Sequence, residues 1–222
     1  MKRLTREESR ALTRAKLLAS ARAVVAREGY ENASVDRIAE EAGFSKGAFY
    51  SNFDSKEEIF LELLESHSMQ DVTEIAELLK GVSDPKEMIA IISQWAVERS
   101  SDPSWGLLAL ELFRRARRDA TFSDRHANLF RGQWAGLGAI LLQMFPRGRA
   151  PGDPETLGGI VFELVYSAAS SFKRGPTAGD MVSLALTALY DAYGTGKKPT
   201  ELPIRFDGRQ ASRVKRKTQV RA

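Results

Sequence analysis

Cysteine is absent from the 222-residue chain. That excludes a disulfide framework, a thiol nucleophile and every zinc site that depends on sulfur, and it fits a reducing compartment. Histidine is scarce: His67 and His126 are the only two. Without paired-histidine spacing they give no metal or catalytic-triad signal, so solvated or capping roles are expected of them. Long apolar runs are also lacking. The longest, 134–145 and 157–172, fall short of the roughly 18–20 clean apolar residues that a membrane helix needs. Glu163 and three serines interrupt the second. The charged amino terminus has no apolar segment leading to a cleavage site, so no signal peptide is read and a cytoplasmic protein is expected. No alternating run bounded by hairpin turns stands out, which argues against a sheet.

What is present suits a soluble globular chain. Hydrophobic residues make up 43% and charged residues 28%, enough for a sizeable core. The formal net charge of +4 is mild but unevenly spread. Residues 1–60 carry 11 basic and 10 acidic side chains, residues 61–194 carry 13 and 17, and residues 195–222 carry 9 and 2. Positive ends around an acidic middle suggest a polyanion-facing part joined to a core with another task.

The chain reads as helices throughout. Leu18, Ala21 and Val25 recur at helical spacing, in a helix expected over 6–28 and stopped by Gly29. Ser34, Ser45 and Ser55 each precede a short helical pattern. Ser55 with Glu58 forms a capping box, as does Thr177 with Asp180. Asp84-Pro85, Asp102-Pro103 and Asp153-Pro154 each read as an N-cap aspartate followed by proline at the first helical position. About nine helices are predicted, over 6–28, 35–42, 46–52, 56–80, 85–100, 103–117, 122–145, 154–173 and 178–193. The fold class is therefore all-α. The charged, apolar-poor segment 196–222 reads as a basic, disordered tail.

Residues 34–60 are the specific part. Two short helices meet at Ala42-Gly43-Phe44-Ser45, the layout of a helix-turn-helix. Val35, Ile38, Ala42, Phe44, Phe49 and Phe53 offer apolar faces to Leu18, Ala21 and Val25. That leaves Ser45, Lys46, Gly47, Ala48 and Tyr50 outward on the second helix. A small, polar helix N-terminus of this kind can enter a major groove.

Gly47, Tyr50, Phe53 and Lys56 stand at the spacing of the DNA-binding region of tetracycline-repressor-like (TetR/AcrR family) regulators. Gly29-Tyr30, 34–39 and 42–57 extend the match, and the stretch from Thr13 to Phe60 resembles that family. The resemblance implies an N-terminal helix-turn-helix domain over 1–55 and a helical effector-binding and dimerisation domain over 56–195. It implies a sequence-specific transcriptional regulator, most simply a dimeric repressor released from an inverted-repeat operator by a small molecule. Ser34, Tyr50 and Lys56 would contact phosphates, and Ser45, Lys46, Gly47 and Ala48 would lie in the groove. Ser51 and Asn52 stand where many family members carry tyrosine and histidine. The protein would be cytoplasmic and nucleoid-associated. An activator, or a nonspecific nucleoid-type DNA binder, remains an alternative. No catalytic constellation, metal site or cofactor motif supports an enzyme.

The aromatic middle of the chain admits a pocket, with Trp95, Trp105, Phe113, Trp134 and Tyr166 as its candidate lining. Ordinary core packing is the competing reading for each. Glu163 either faces a cationic effector, pairs across a dimer or faces solvent. The small and apolar residues of 154–173 and 178–193 suit a four-helix bundle with a second copy, or else internal packing. Lys2, Arg3 and Arg6 form either a minor-groove arm or a solvated end. The basic cluster 213–217 either adds phosphate affinity or only solubility.

Overall fold

The structure, a computed structural model, describes residues 5–102, 104–117, 120–167 and 175–195. Lys2, Arg3, the small residues at 168–171 and the basic tail at 196–222 lie outside them, as does the Phe122 side chain. Nine α-helices and no strand occur among the described residues: α1 Arg6–Asn32, α2 Val35–Glu41, α3 Lys46–Tyr50, α4 Lys56–Leu78, α5 Pro85–Ser100, α6 Ser104–Ala116, α7 Ala120–Leu141, α8 Pro154–Tyr166 and α9 Ala178–Tyr193. A 3-10 turn, Leu142–Met144, ends α7. No described helix is long and apolar enough to cross a membrane.

The caps are where local chemistry puts them. Ser34, Ser45 and Ser55 accept the amides of Arg37, Ala48 and Glu58. Asp84 and Asp153 accept those of Lys86 and Thr156, each ahead of a proline. Thr177 and Asp180 form a reciprocal capping box. At α4 the expected box is altered: Glu58 accepts the Asp54 amide at 2.6 Å instead of reaching Ser55. Gly29 does interrupt α1, at φ 77° and ψ 167°, a conformation open to glycine. Helical structure then resumes to Asn32, beyond the expected stop.

Two cores organise these helices. The first gathers Leu17, Ala21 and Val24 of α1, Ile38 and Ala39 of α2, Phe49 and Phe53 around α3, and Ile59 to Leu64 of α4. Trp105, Leu108 and Leu112 of α6 close it from below. The second holds Ile75 and Leu79, the buried faces of α5, α7, α8 and α9, and the Met144–Phe145 corner. Helix α4 thus contributes its first half to one core and its second half to the other.

Close approach dominates the contact of α7 with α8. A Cβ on Gly138 would lie 1.8 Å from the Pro154 carbonyl oxygen, and one on Gly158 would lie 1.9 Å from that of Trp134. A Cβ on Gly159 would lie 3.4 Å from the Trp134 ring. Gly158 and Gly159 are therefore committed to packing inside the chain. On α9, Leu184 is 74% exposed, beside exposed Thr187 and Ala188 on the same helix.

Candidate functional site

The head is built on α1. Gly43, at φ 75°, turns the chain between α2 and α3, and the Phe44 amide bonds the Ala39 carbonyl at 2.8 Å across that turn. Phe49 and Phe53 anchor α3 from beneath, fully buried, with ring centroids 5.7 Å apart. Arg14 of α1 spans the α3–α4 corner. It bonds the Asn52 carbonyl and the Glu62 carboxylate and lies 4.0 Å over the Phe53 ring. Ser20 ties α1 to α2, donating to the Ile38 carbonyl at 2.7 Å.

This scaffold leaves the N-terminus of α3 open. Ser45, Lys46 and Gly47 are exposed, and Ala48 is partly so. Gly47 needs no special backbone conformation, and a Cβ there would meet only the Ser45 hydroxyl at 3.7 Å. Lys46 pairs with Asp36 of α2 at 2.8 Å across exposed surface. The Asp36 carboxylate holds its ammonium above the usual lysine range, and an exposed pair of this kind is easily exchanged. Tyr50 is 49% exposed, its ring packed edge-on to Phe49 with centroids 5.5 Å apart. Ser51 and Asn52 turn back on their own helix, donating to the Gly47 and Ala48 carbonyls at 2.9 and 2.8 Å.

Ser34 and Lys56 are occupied within the head. Ser34 caps α2 through an exposed hydroxyl. Lys56 donates to the Tyr30 carbonyl at 2.5 Å and lies 4.2 Å over the Tyr30 ring. Burial pushes its ammonium below the usual lysine range. It binds the end of α1 to the start of α4, a structural role that spacing did not reveal.

A cavity of about 580 Å³ opens in the body between α6, α7 and α8. Of the five aromatic candidates, Phe113, Trp134 and Tyr166 line it, together with Phe130 and His126. Trp95 and Trp105 do not. Trp95 is buried edge-on to Phe162 at 6.0 Å, and Trp105 closes the first core. Leu107, Leu110 and Phe113 leave an exposed apolar stripe along α6 at the cavity. Arg131, Asp102 and Glu163 add one basic and two acidic side chains to its lining, and neither Arg131 nor Glu163 has an ion-pair partner among the described residues.

Neither histidine is solvated or capping, contrary to expectation. His126 is 6% exposed, bonds the Ala109 backbone and lies 4.8 Å from the Phe130 ring. His67, on α4, stacks on Trp105 with centroids 3.8 Å apart. Its Nε2 lies 2.9 Å from the Tyr166 hydroxyl. That hydroxyl donates to Asp71, which is fully buried and lies 2.9 Å from Arg99. Desolvation lowers the His67 pKa to about 4 and raises that of Asp71 to about 6. No cluster of three or more potential metal ligands occurs among the described residues.

A three-helix head whose five-residue third helix has an exposed N-terminus, carried on a helical body with a cavity, has the layout of a helix-turn-helix protein. Residues 17–63 match the family model of bacterial regulatory proteins, tetR family. The chain is 34% identical over 87 residues to the HTH-type transcriptional activator FasR of Mycolicibacterium smegmatis, spanning 39% of this chain and 38% of FasR. It is 29% identical over 110 residues to the HTH-type transcriptional repressor AcnR of Corynebacterium glutamicum, spanning 50% and 54%. The matches thus span about half or less of the length of these curated relatives. The solved structure of Salmonella enterica GusR superposes with a TM-score of 0.63 at 21% identity, covering 86% of this chain and all of GusR. Residues 17–63 are thus similar to the DNA-binding region of tetR-family regulators, and the helical body shares the fold of that solved structure.

Proposed function

We propose that the protein is a transcriptional regulator that binds an inverted-repeat operator as a homodimer and answers to a small molecule in its body. The observation that carries this reading is the open N-terminus of α3, held on a packed scaffold yet engaged in no packing of its own. Ser45, Lys46, Gly47 and Ala48 would enter the groove, with Gly47 letting the backbone approach base edges. Ser34, Tyr50 and Lys56 would fix register on phosphates. Lys56 would do so after loosening its hold on Tyr30, so its contribution combines charge with the integrity of the α1–α4 joint. The division of labour places DNA contact before about residue 55 and ligand response after it.

The pairing surface would be α8 and α9, through the exposed Leu184 face. A two-fold dimer presents its reading helices about 34–36 Å apart, one turn of DNA. The cavity has the size of sites that take small molecules, usually 300–1,000 Å³. A ligand there shifts DNA affinity only by its preference for one conformation. The relatives are named activator and repressor alike, so the sign of regulation does not follow from the fold.

The test is binding of the purified protein to the DNA upstream of its own gene and to a scrambled duplex, at two salt concentrations. Strong preference for the upstream DNA, with affinity falling as salt rises, is the expected result. Equal, salt-sensitive binding to both duplexes, with no sequence enriched in a following random-sequence selection, would favour the nonspecific nucleoid-type reading.

A further inference from the structure

Tyr166 belongs to two neighbourhoods. It is the last residue of α8, it lines the cavity, and its hydroxyl reaches into a buried polar cluster centred on Asp71 of α4. Asp71 has no exposed surface. One of its oxygens accepts the Tyr166 hydroxyl and lies 3.4 Å from the Gln133 amide of α7. The other lies 2.9 Å from Arg99 of α5, which also holds Glu74 at the surface. A single carboxylate therefore ties α4 to α5, α7 and α8.

The same cluster leads toward the head. His67, one turn before Asp71, stacks on Trp105 of α6 within 9° of parallel. Arg22 of α1 lies 5.7 Å over that indole. Gly106, beside Trp105, packs so closely that a Cβ would lie 2.5 Å from the Tyr166 carbonyl oxygen. Displacing Tyr166 would therefore act on α4 through its hydroxyl and on α6 through its backbone. Both helices contribute to the core beneath the reading helix.

Energetics make the hydroxyl contact consequential. A buried carboxylate that loses a strong donor must recover one or stay costly. With Tyr166 withdrawn, Asp71 keeps Arg99, a long contact to Gln133 and His67 Nε2 at 3.9 Å, and α4 adjusts to admit water or to close the His67 contact.

We propose that Tyr166 is the residue through which occupancy of the cavity is transmitted to α4. The occupant is an apolar, ring-bearing molecule seated against Phe130, Trp134 and the Tyr166 ring, and it turns the tyrosine away from Asp71. This inference rests on the ligand-responsive reading above and names the residue that couples the cavity to the head.

The test uses the full chain and N-phenyl-1-naphthylamine, a neutral aromatic fluorophore, as the probe. Its affinity is read by fluorescence, and amide hydrogen exchange is followed across residues 64–75. In the wild-type protein, saturating probe should change exchange in that segment by at least about fivefold. Leu110→Trp, which narrows the mouth, should abolish probe binding. Tyr166→Phe keeps the ring and removes the bond that binding would break, so it should bind the probe more tightly than wild type, yet lose the exchange response. Asp71→Asn, which keeps the tyrosine and weakens its acceptor, should lose most of the response too. An unchanged response in both variants, or none in wild type at saturating probe, overturns the relay. Failure of the wild type to bind the probe overturns the cavity as an apolar site, and the relay with it. Neither outcome affects the upstream-DNA assay, so failure of the relay and failure of the DNA-binding reading are separable.

Discussion

An alanine at Gly47 would meet almost nothing within the protein, whereas an alanine at Gly158 would collide with the Trp134 carbonyl. The two substitutions should therefore act in opposite directions. Gly47→Ala should raise thermal stability slightly, by about 0.5–1 kcal/mol from helix propensity, while weakening specific DNA binding. Gly158→Ala should lower stability by about 2–3 kcal/mol through overpacking and leave the exposed face of α3 untouched. Denaturant titration and a DNA-binding isotherm on each variant check the pair. The buried cluster gives a second residue-scale prediction. Asp71, faced by Arg99, Glu74 and Tyr166, titrates near 6 when folded, above its usual value. Its ionisation therefore opposes folding, and that opposition is relieved as pH falls from about 6 toward 4. His67, faced by Arg99, Arg22, Asp102 and, at 3.9 Å, Asp71 itself, titrates near 4. Its neutral form favours folding above about 6.5, and that contribution is lost as pH falls toward 4. The two trends offset each other in the wild type. Relative to it, Asp71→Asn should lose stability on acidification from pH 6.5 to 4.5, and His67→Gln should gain it, each on the order of 1–2 kcal/mol. Urea midpoints at three pH values would decide. None of this was legible in the sequence. A histidine and an aspartate four residues apart on a helix resemble a solvated face until α5, α6 and α8 are packed over them.

At the scale of the element, capping chemistry was the legible part. Asp84, Asp153, Thr177 and the three serines act within a few residues of themselves, so local sequence suffices to find them. Helix ends decided by packing were not legible. The turn after Gly29 is held by the Ala33 amide on the Gly29 carbonyl and by Lys56 on Tyr30, and the second of these bonds comes from 26 residues away. Helix α3 is only five residues long, too short to be stable by itself. Its geometry depends on its cap and on Phe49. Ser45→Ala should cost about 1 kcal/mol of stability. It should lower specific DNA affinity by more than that loss alone produces, because the frayed end is the one proposed to enter the groove. The check compares affinity well below the melting temperature with the fraction folded under the same conditions.

For the whole molecule, the head was readable and the body was not, for a physical reason. The head compresses several steric requirements into short spacings: a turn glycine at 43, a small Ala39 at a helix crossing and two buried phenylalanines. In the body, an aromatic residue serves equally well as core or as cavity wall. Trp95 and Phe113 carried the same expectation, yet one is 3% exposed within the core and the other 50% exposed at the cavity. Assembly follows the same logic. Leu184 is the most exposed large apolar side chain of α9, on the helix proposed to pair with a second copy. Leu184→Glu should give a monomer by sedimentation velocity while leaving the circular dichroism unchanged. Affinity for a two-half-site operator should then fall by at least about 100-fold, as avidity is lost. A dimer that survives the substitution would place the pairing surface elsewhere.

The sharing of the first core by α1–α3, the start of α4 and three residues of α6 has a consequence for recombination. Regulators with separable modules can exchange heads at a linker and keep both specificities. Here a graft ending at residue 55 would leave Leu17, Ile38 and Phe49 without Ile59, Phe60 and Leu61. A graft ending after α4 would still lack Leu108 and Leu112. A functional chimera must carry the facing side chains of α4 and α6 with the head. New DNA specificity is therefore reached more readily by substitutions on the exposed face of α3 than by exchanging the domain.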